Sequence, residues 1–287
     1  MTSNIREVTL MDKQVSVRFS EGKHQYRVKV HEEDGSITYP ELEKGKYVHD
    51  SMVHIPKKFI GKFNLTTSVT SVSKYVGDKQ FLIGWSAKKA TEYFGERLFP
   101  GIQITSKDLV TWMKEAPQAR YKSLDKGADR GNIIHEWLEN YVRWQLGLVT
   151  KQPDIPTQPK IKGAIESFLQ FEEEWNLEYI DTERIIYDPL TNVAGTLDIV
   201  AKSNKGLLIT DIKTGGGIYP EMHLQIAAYR RGYFYDTKQY ADMSVILFIP
   251  RDGSLCIPVY EELDDEVDYA AYLAACSIYW WWKSKGR

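Results

Sequence analysis

The chain has 287 residues and a formal charge of −2, with 43% apolar and 26% charged residues, a balance that suits a folded globular protein and excludes disorder as the main state. No apolar run approaches the roughly 20 residues of a membrane helix, and the opening MTSNIREVTL has neither the basic nor the apolar region of a secretory leader. A cytosolic-type soluble protein with no membrane partner is therefore expected. Two cysteines, Cys256 and Cys276, cannot build a disulfide framework or hold an iron–sulfur cluster on four thiolates.

The near-neutral total hides an uneven distribution. Lys57–Lys89 holds seven lysines against one acid, Asp78, whereas Glu261–Asp268 holds six acids in eight residues. Such asymmetry permits a phosphate-binding surface on a neutral protein, and two solvated faces explain it equally well.

Residues 14–50 alternate as strands (Val15, Val17, Phe19, then Tyr26, Val28, Val30), with turns at Glu21-Gly22 and Asp34-Gly35. From Thr66 the period becomes helical. Ser68 and Ser71 are candidate caps, and Phe81, Trp85, Lys88, Lys89 and Tyr93 mark an amphipathic helix that breaks near Pro100. Ser106 is expected to cap a short helix, and a longer one through Ile133, Trp137, Tyr141 and Trp144 ends near Gly147. Lys151–Pro159 contains three prolines and is the best internal boundary. It divides one compact unit into an N-terminal hairpin region (1–65), a helical layer (66–155) and a core (156–287). The core opens with a helix over about 160–175 and then switches to period two: Glu183–Tyr187, Val193–Ala201, Gly206–Lys213, a helix over about 220–235, Met243–Ile249, Leu255–Tyr260 and a last helix over about 264–283. Asp252-Gly253 is a two-residue hairpin turn. The pattern predicts an α+β fold, a central mixed β-sheet flanked by helices, with an N-terminal β-hairpin and a helical layer.

The informative segment runs from Gly195 to Lys213. A turn at Asn204-Lys205 predicts an antiparallel hairpin in which Asp198 lies opposite Asp211, with Lys213 on the face of Asp211. Facing carboxylates repel, and a divalent cation offsets that repulsion; hard oxygen ligands suit Mg²⁺ or Mn²⁺. The competing explanation is a buried Asp–Lys pair with the other aspartate as a strand-end cap.

Gly195-Thr-x-Asp198, Asp211-Ile-Lys213 and Gln225-x-x-x-Tyr229 on the following helix resemble the core of the PD-(D/E)XK nuclease superfamily, in its RecB-like exonuclease branch. Arg130-Gly131-Asn-x-Ile-His135 resembles that branch's helical histidine motif. Ser68-Val69-Thr70, after a hairpin containing His24-x-Tyr26, is similar to phage nucleases and to the mitochondrial genome-maintenance exonuclease. The likeness spans about residues 20–260. It implies a restriction-endonuclease-like core and a metal-dependent DNA exonuclease acting at free ends in replication, recombination or repair. It further implies Asp198, Asp211, His135 and the Ile212 carbonyl as ligands of Mg²⁺ or Mn²⁺, without an iron–sulfur cluster, and Lys213 as the catalytic lysine. Gln225 and Tyr229 would line the site. DNA would be held by Arg130, Ser68, Thr70, Lys74, Lys88 and Lys89. A structure-selective endonuclease on the same core and a catalytically inactive nucleic-acid-binding module are the rival readings. A phage origin is suggested by the likeness alone.

Other candidates read as ordinary structure. Glu139 is as well explained as a helix acid as by a role behind His135; Glu183, at the start of the strand before Asp198, could reach the metal but is better explained as an exposed strand-end acid. His24, His31, His49, His54 and His223 lack partners at ligand spacing. Thr214-Gly215-Gly216-Gly217 is expected to be a mobile loop beside the site, and Trp280-Trp281-Trp282 to pack the last helix onto the core. Trp85 and Tyr75, near the lysine-rich segment, are the better candidates for stacking on bases.

Overall fold

The computed structural model describes residues 4–43, 46–77, 80–250, 254, 256–262 and 266–286. Asp78, Lys79, Asp252, Gly253 and Leu255 lie outside the described residues, as do the side chains of His49, Phe81 and Glu261–Glu266. In chain order the elements are β1 (Ile5–Leu10), β2 (Val15–Ser20), β3 (Gln25–Val30), β4 (Ser36–Glu43), β5 (Lys46–His54), β6 (Asn64–Ser68), α1 (Val69–Val76), α2 (Gln80–Gly95), α3 (Ser106–Glu115), α4 (Ala119–Gln145) and α5 (Pro159–Trp175). They continue with β7 (Glu178–Asp188), β8 (Val193–Ser203), β9 (Gly206–Lys213), α6 (Pro220–Thr237), β10 (Met243–Phe248), β11 (Ile257–Glu262) and α7 (Glu266–Ser284). No helix of the described residues is long and apolar enough to cross a membrane.

One large mixed sheet runs β1-β2-β3-β6-β8-β9-β10-β11, with β7 also on β8, and β4-β5 form a separate hairpin. Strand alternation builds its N-terminal part: Val15, Val17 and Phe19 of β2 and Tyr26, Val28 and Val30 of β3 are all buried. The middle of the sheet is apolar on both faces, as a doubly covered sheet requires. On one face Ile134, Trp137 and Leu138 of α4 and Ile165 and Phe168 of α5 pack on Ile199, Leu208, Ile212 and Val245. On the other, Val69 and Val72 of α1, Ile226 and Tyr229 of α6, and Tyr272 and Tyr279 of α7 pack on Leu197, Val200, Ile209 and Ile246.

β8 organises the site. β7 runs antiparallel along Val193–Lys202, which occupies one edge of β8. β6, parallel at Val193 and Ala194, and β9, antiparallel at Ile199–Ser203, must then share the opposite edge. Between them the edge forks over Gly195–Asp198.

Several details differ from the sequence reading. Two further strands, β1 and β6, lie where none was assigned. The α3 cap is Thr105 rather than Ser106: Thr105 Oγ1 accepts from Asp108 N while Asp108 Oδ2 accepts from Thr105 N, a capping box that Asp108 completes. In α7 the buried stripe is Tyr269, Tyr272, Cys276 and Tyr279, so the helical period turns Trp280 and Trp281 outward, 40% and 55% exposed. Those two tryptophans do not pack the helix onto the core.

Candidate active site

The turn at Asn204-Lys205 sets the β8–β9 register, recorded from Ser203↔Gly206 to Ile199↔Thr210. The pairing ends one step short of Asp198 and Asp211, and the bond from Ile212 N to Asp198 Oδ2 keeps the two segments side by side there. On the far side of β8, Thr182↔Ile199 and Arg184↔Leu197 flank the position where Glu183 of β7 meets Asp198. Three acids, Glu183, Asp198 and Asp211, thus form one row across three neighbouring strands. Glu183 has a left-handed backbone, φ 50°, in the middle of a strand; a bulky non-glycine residue there is strained, and such strain gathers at functional sites.

At the fork, Ile212 N donates to Asp198 Oδ2 at 2.6 Å, a side-chain substitute for the next ladder bond. Asp211 is 2% exposed. Its Oδ2 pairs with Lys213 Nζ, with no other donor on it among the described residues. Burial raises the Asp211 carboxyl to about 6; Lys213 opposes the shift, Asp198 adds to it, and His135 opposes it again. Glu183, a side chain 25% exposed, is raised to about 8 by burial first and then by the charges of Asp198 and Glu139. Arg6 counters this with Glu183 Oε2 at 3.4 Å and donates to the Glu183 carbonyl at 3.2 Å. Glu183 is therefore a member of the row rather than an exposed strand-end acid. Its positive φ and its register are properties of the folded pairing, and no local sequence signal carries them.

α4 supplies the helix side. His135 and Glu139 are one turn apart on this helix, and their charges reach Asp211 and Glu183 respectively. Glu139 also pairs with Arg143 at 3.1 Å. A Cβ on Gly131 would come within 2.6 Å of Thr214 Oγ1, so glycine is what lets α4 approach the loop after Lys213. Gly195 of β8 plays the same part for α6, since a Cβ there would meet the Tyr229 ring at 2.7 Å.

Gln225 and Tyr229 are buried and bonded to each other: Gln225 Nε2 donates to Tyr229 Oη at 2.7 Å and lies 3.3 Å from Thr70 Oγ1. Burial and the charge of Asp211 push the Tyr229 phenol well above its usual range. Ser68 caps α1 by accepting from Ser71 N at 3.1 Å. From the N-terminal sheet, Tyr26 Oη bonds Thr196 Oγ1 at 2.7 Å, and burial raises that phenol to about 12. Sequence reasoning had not placed Arg6 or Thr196 here. Arg130 is half-buried on α4, Lys74 and Lys88 are exposed, and Lys89 pairs with Glu92 at 2.6 Å; among the described contacts none joins these three lysines to the acid row. Tyr75 packs edge-on against Tyr279, and Trp85 is half-buried.

The donor chemistry fits a hard divalent cation: several carboxylate oxygens and one imidazole, with burial first and the charge of Asp198 after it raising the proton affinity of both Glu183 and Asp211. The cage is not closed, because Lys213 and the Ile212 N–H each hold one carboxylate oxygen. Among the described residues no three His, Cys, Asp or Glu side chains already stand at ligand positions.

No protein-family model matches the chain, and no curated protein matches it. A solved structure described as the crystal structure of SSO0001 is similar at 17% identity and a TM-score of 0.24, over 40% of this chain and 56% of that one. This chain thus matches a little over half the length of that protein.

Proposed function

We propose that the protein is a metal-dependent nuclease that hydrolyses DNA phosphodiester bonds from free ends. The observation that supports this most is the row Glu183–Asp198–Asp211, with Lys213 paired to Asp211 and the charge of His135 reaching it from α4. Repelling carboxylates buried in the centre of a sheet destabilise the fold, and a bound cation relieves that cost. Asp198, Asp211 and the Ile212 carbonyl would hold Mg²⁺ or Mn²⁺, with His135 favouring Mn²⁺ and Glu183 able to join them. A cation held there would supply charge neutralisation at the phosphate and a more acidic water. Lys213 would leave Asp211 to donate to a non-bridging phosphate oxygen as charge builds there. Tyr229 and Gln225, locked to each other and to Thr70, fix the wall against which the phosphate sits, and Tyr26 and Arg6 close the side facing Glu183.

The test is end-labelled single-stranded and duplex DNA with Mg²⁺, Mn²⁺ or chelator. Shortening with Mn²⁺ that chelator abolishes is expected, and Asp211→Asn should remove it while DNA remains bound. Circular single-stranded DNA left intact marks an exonuclease, whereas its cleavage points to the endonuclease reading. No cleavage of any substrate with either metal overturns the proposal.

A further inference from the structure

The N-terminal sheet has a second face, turned away from the acid row, that the function above does not use. Strand register assembles it row by row: Glu7–Arg18–Arg27–Leu65 across β1, β2, β3 and β6, with Ser16–Lys29 and Ser20–Gln25 on either side. Arg18 and Arg27 stand directly opposite each other. Like charges in facing positions destabilise a strand pair, and the row contains a single acid, Glu7, which holds Arg18 Nε at 2.6 Å. Arg27 faces Leu65 on its other side and is exposed. Phe63 lies under this face with the Arg18 guanidinium 3.7 Å and the Lys29 ammonium 5.0 Å from its ring centre, an arrangement that pins both cations in place. Ile5, Arg18, Ser20, Lys23, Arg27 and Phe63 line a groove of about 390 Å³.

We infer that this face binds the backbone of single-stranded DNA. Arg18, Lys23 and Arg27 line the groove, Lys29 stands against the same Phe63 ring, and Glu7 is the acid paired to Arg18. That is the chemistry of a strand-tracking surface, in which phosphates relieve the cation–cation repulsion and a ring offers apolar contact to a base. Phe63 in the lining favours a single strand, because an unpaired base can lie against a ring that a base stacked within a duplex cannot reach. The groove is also placed for the site: Arg6 and Tyr26, at alternate positions of the same strands, reach Glu183 and Thr196 on the opposite face. The inference rests on the nucleic-acid reading above but not on turnover.

It is tested by fluorescence anisotropy of a short labelled single-stranded oligonucleotide, in chelator so that nothing is cut, with a duplex of equal length as the second probe. The triple variant Lys23→Ala/Arg27→Ala/Lys29→Ala is expected to raise the single-strand Kd on the order of tenfold and to lower the slope of log affinity against log salt by about 2. The charge-keeping Lys23→Arg/Arg27→Lys/Lys29→Arg should bind as the parent does. Should the triple variant fold poorly, Arg27→Ala alone suffices: it removes the facing arginines, so its melting temperature should hold or rise while Kd still increases. Binding by the parent with no change in either variant overturns this inference and leaves the nuclease reading intact. Equal weakening on duplex overturns the single-strand assignment. No binding by the parent overturns both, and weakened variant binding without cleavage under any metal upholds this face while the nuclease reading falls.

Discussion

Glu183 shows how one side chain concentrates the electrostatics of the site. Its carboxyl rises on folding from an ordinary 4.5 to about 8, through burial and then the charges of Asp198 and Glu139. A carboxyl whose pKa rises on folding binds its proton more tightly in the native state. Its destabilising effect is absent below the unfolded value, grows between the two values and is complete above the folded one. Glu183→Gln should therefore change the melting temperature little at pH 4 and raise it at pH 8.5, with Arg6 still paired to Glu21 at 3.3 Å. Thermal unfolding at the two pH values checks this, and an equal shift at both would contradict it. The residue also marks the limit of sequence reading. Asp198, Asp211 and Lys213 were legible because a two-residue turn fixes their register by counting. Glu183 was not, since its partner comes from the β7–β8 pairing, where a register shift between Tyr179 and Asp181 defeats counting.

At the scale of elements, periodicity placed the core hairpin, α5 and α6 within a few residues, because long apolar stripes identify themselves, but found α4 only from Ile133 on, although the helix begins at Ala119. Two short strands escaped, β1 at the edge of the sheet and β6 inside it. β6 pairs with β8 through two residues, Thr67 and Ser68, too few for any alternation to show. The cap of α3 was displaced by one position, since Thr105 and Ser106 are both good caps and the choice belongs to Asp108 three residues after Thr105. Thr105→Ala should destabilise α3 by about 1 kcal/mol, whereas Ser106→Ala should cost almost nothing, as amide exchange within the helix would report. The tryptophans of α7 were misplaced for a related reason. Three in succession cannot share one helix face, and the tyrosine stripe had already taken the buried one.

Across the whole molecule, three sources of charge meet: the acid row from β7–β9, the imidazole from α4, and Arg6 from β1, which is more than 170 residues away in sequence. Ligand linkage offers a test that needs no substrate. A cation that binds the folded row and not the unfolded chain raises the melting temperature as its concentration rises. Mn²⁺ should do so more strongly at pH 8 than at pH 5.5, because at the lower pH protons compete for Asp211 and Glu183. Chelator should reverse the rise, and Asp198→Asn/Asp211→Asn should abolish it. An Mn²⁺ shift of equal size in that double variant would place the ion elsewhere.

The fork in β8 has a consequence for solvent access. A strand in the middle of a nine-stranded sheet ought to be the last segment to take up deuterium, yet from Gly195 to Asp198 the margin opposite β7 has no neighbouring strand among the described residues. Amide protons directed into that gap should exchange ahead of those at Ile199–Ser203. Isotope would thus reach the heart of the sheet before its covered flanks, and a bound ion or oligonucleotide would slow that uptake by sealing the opening.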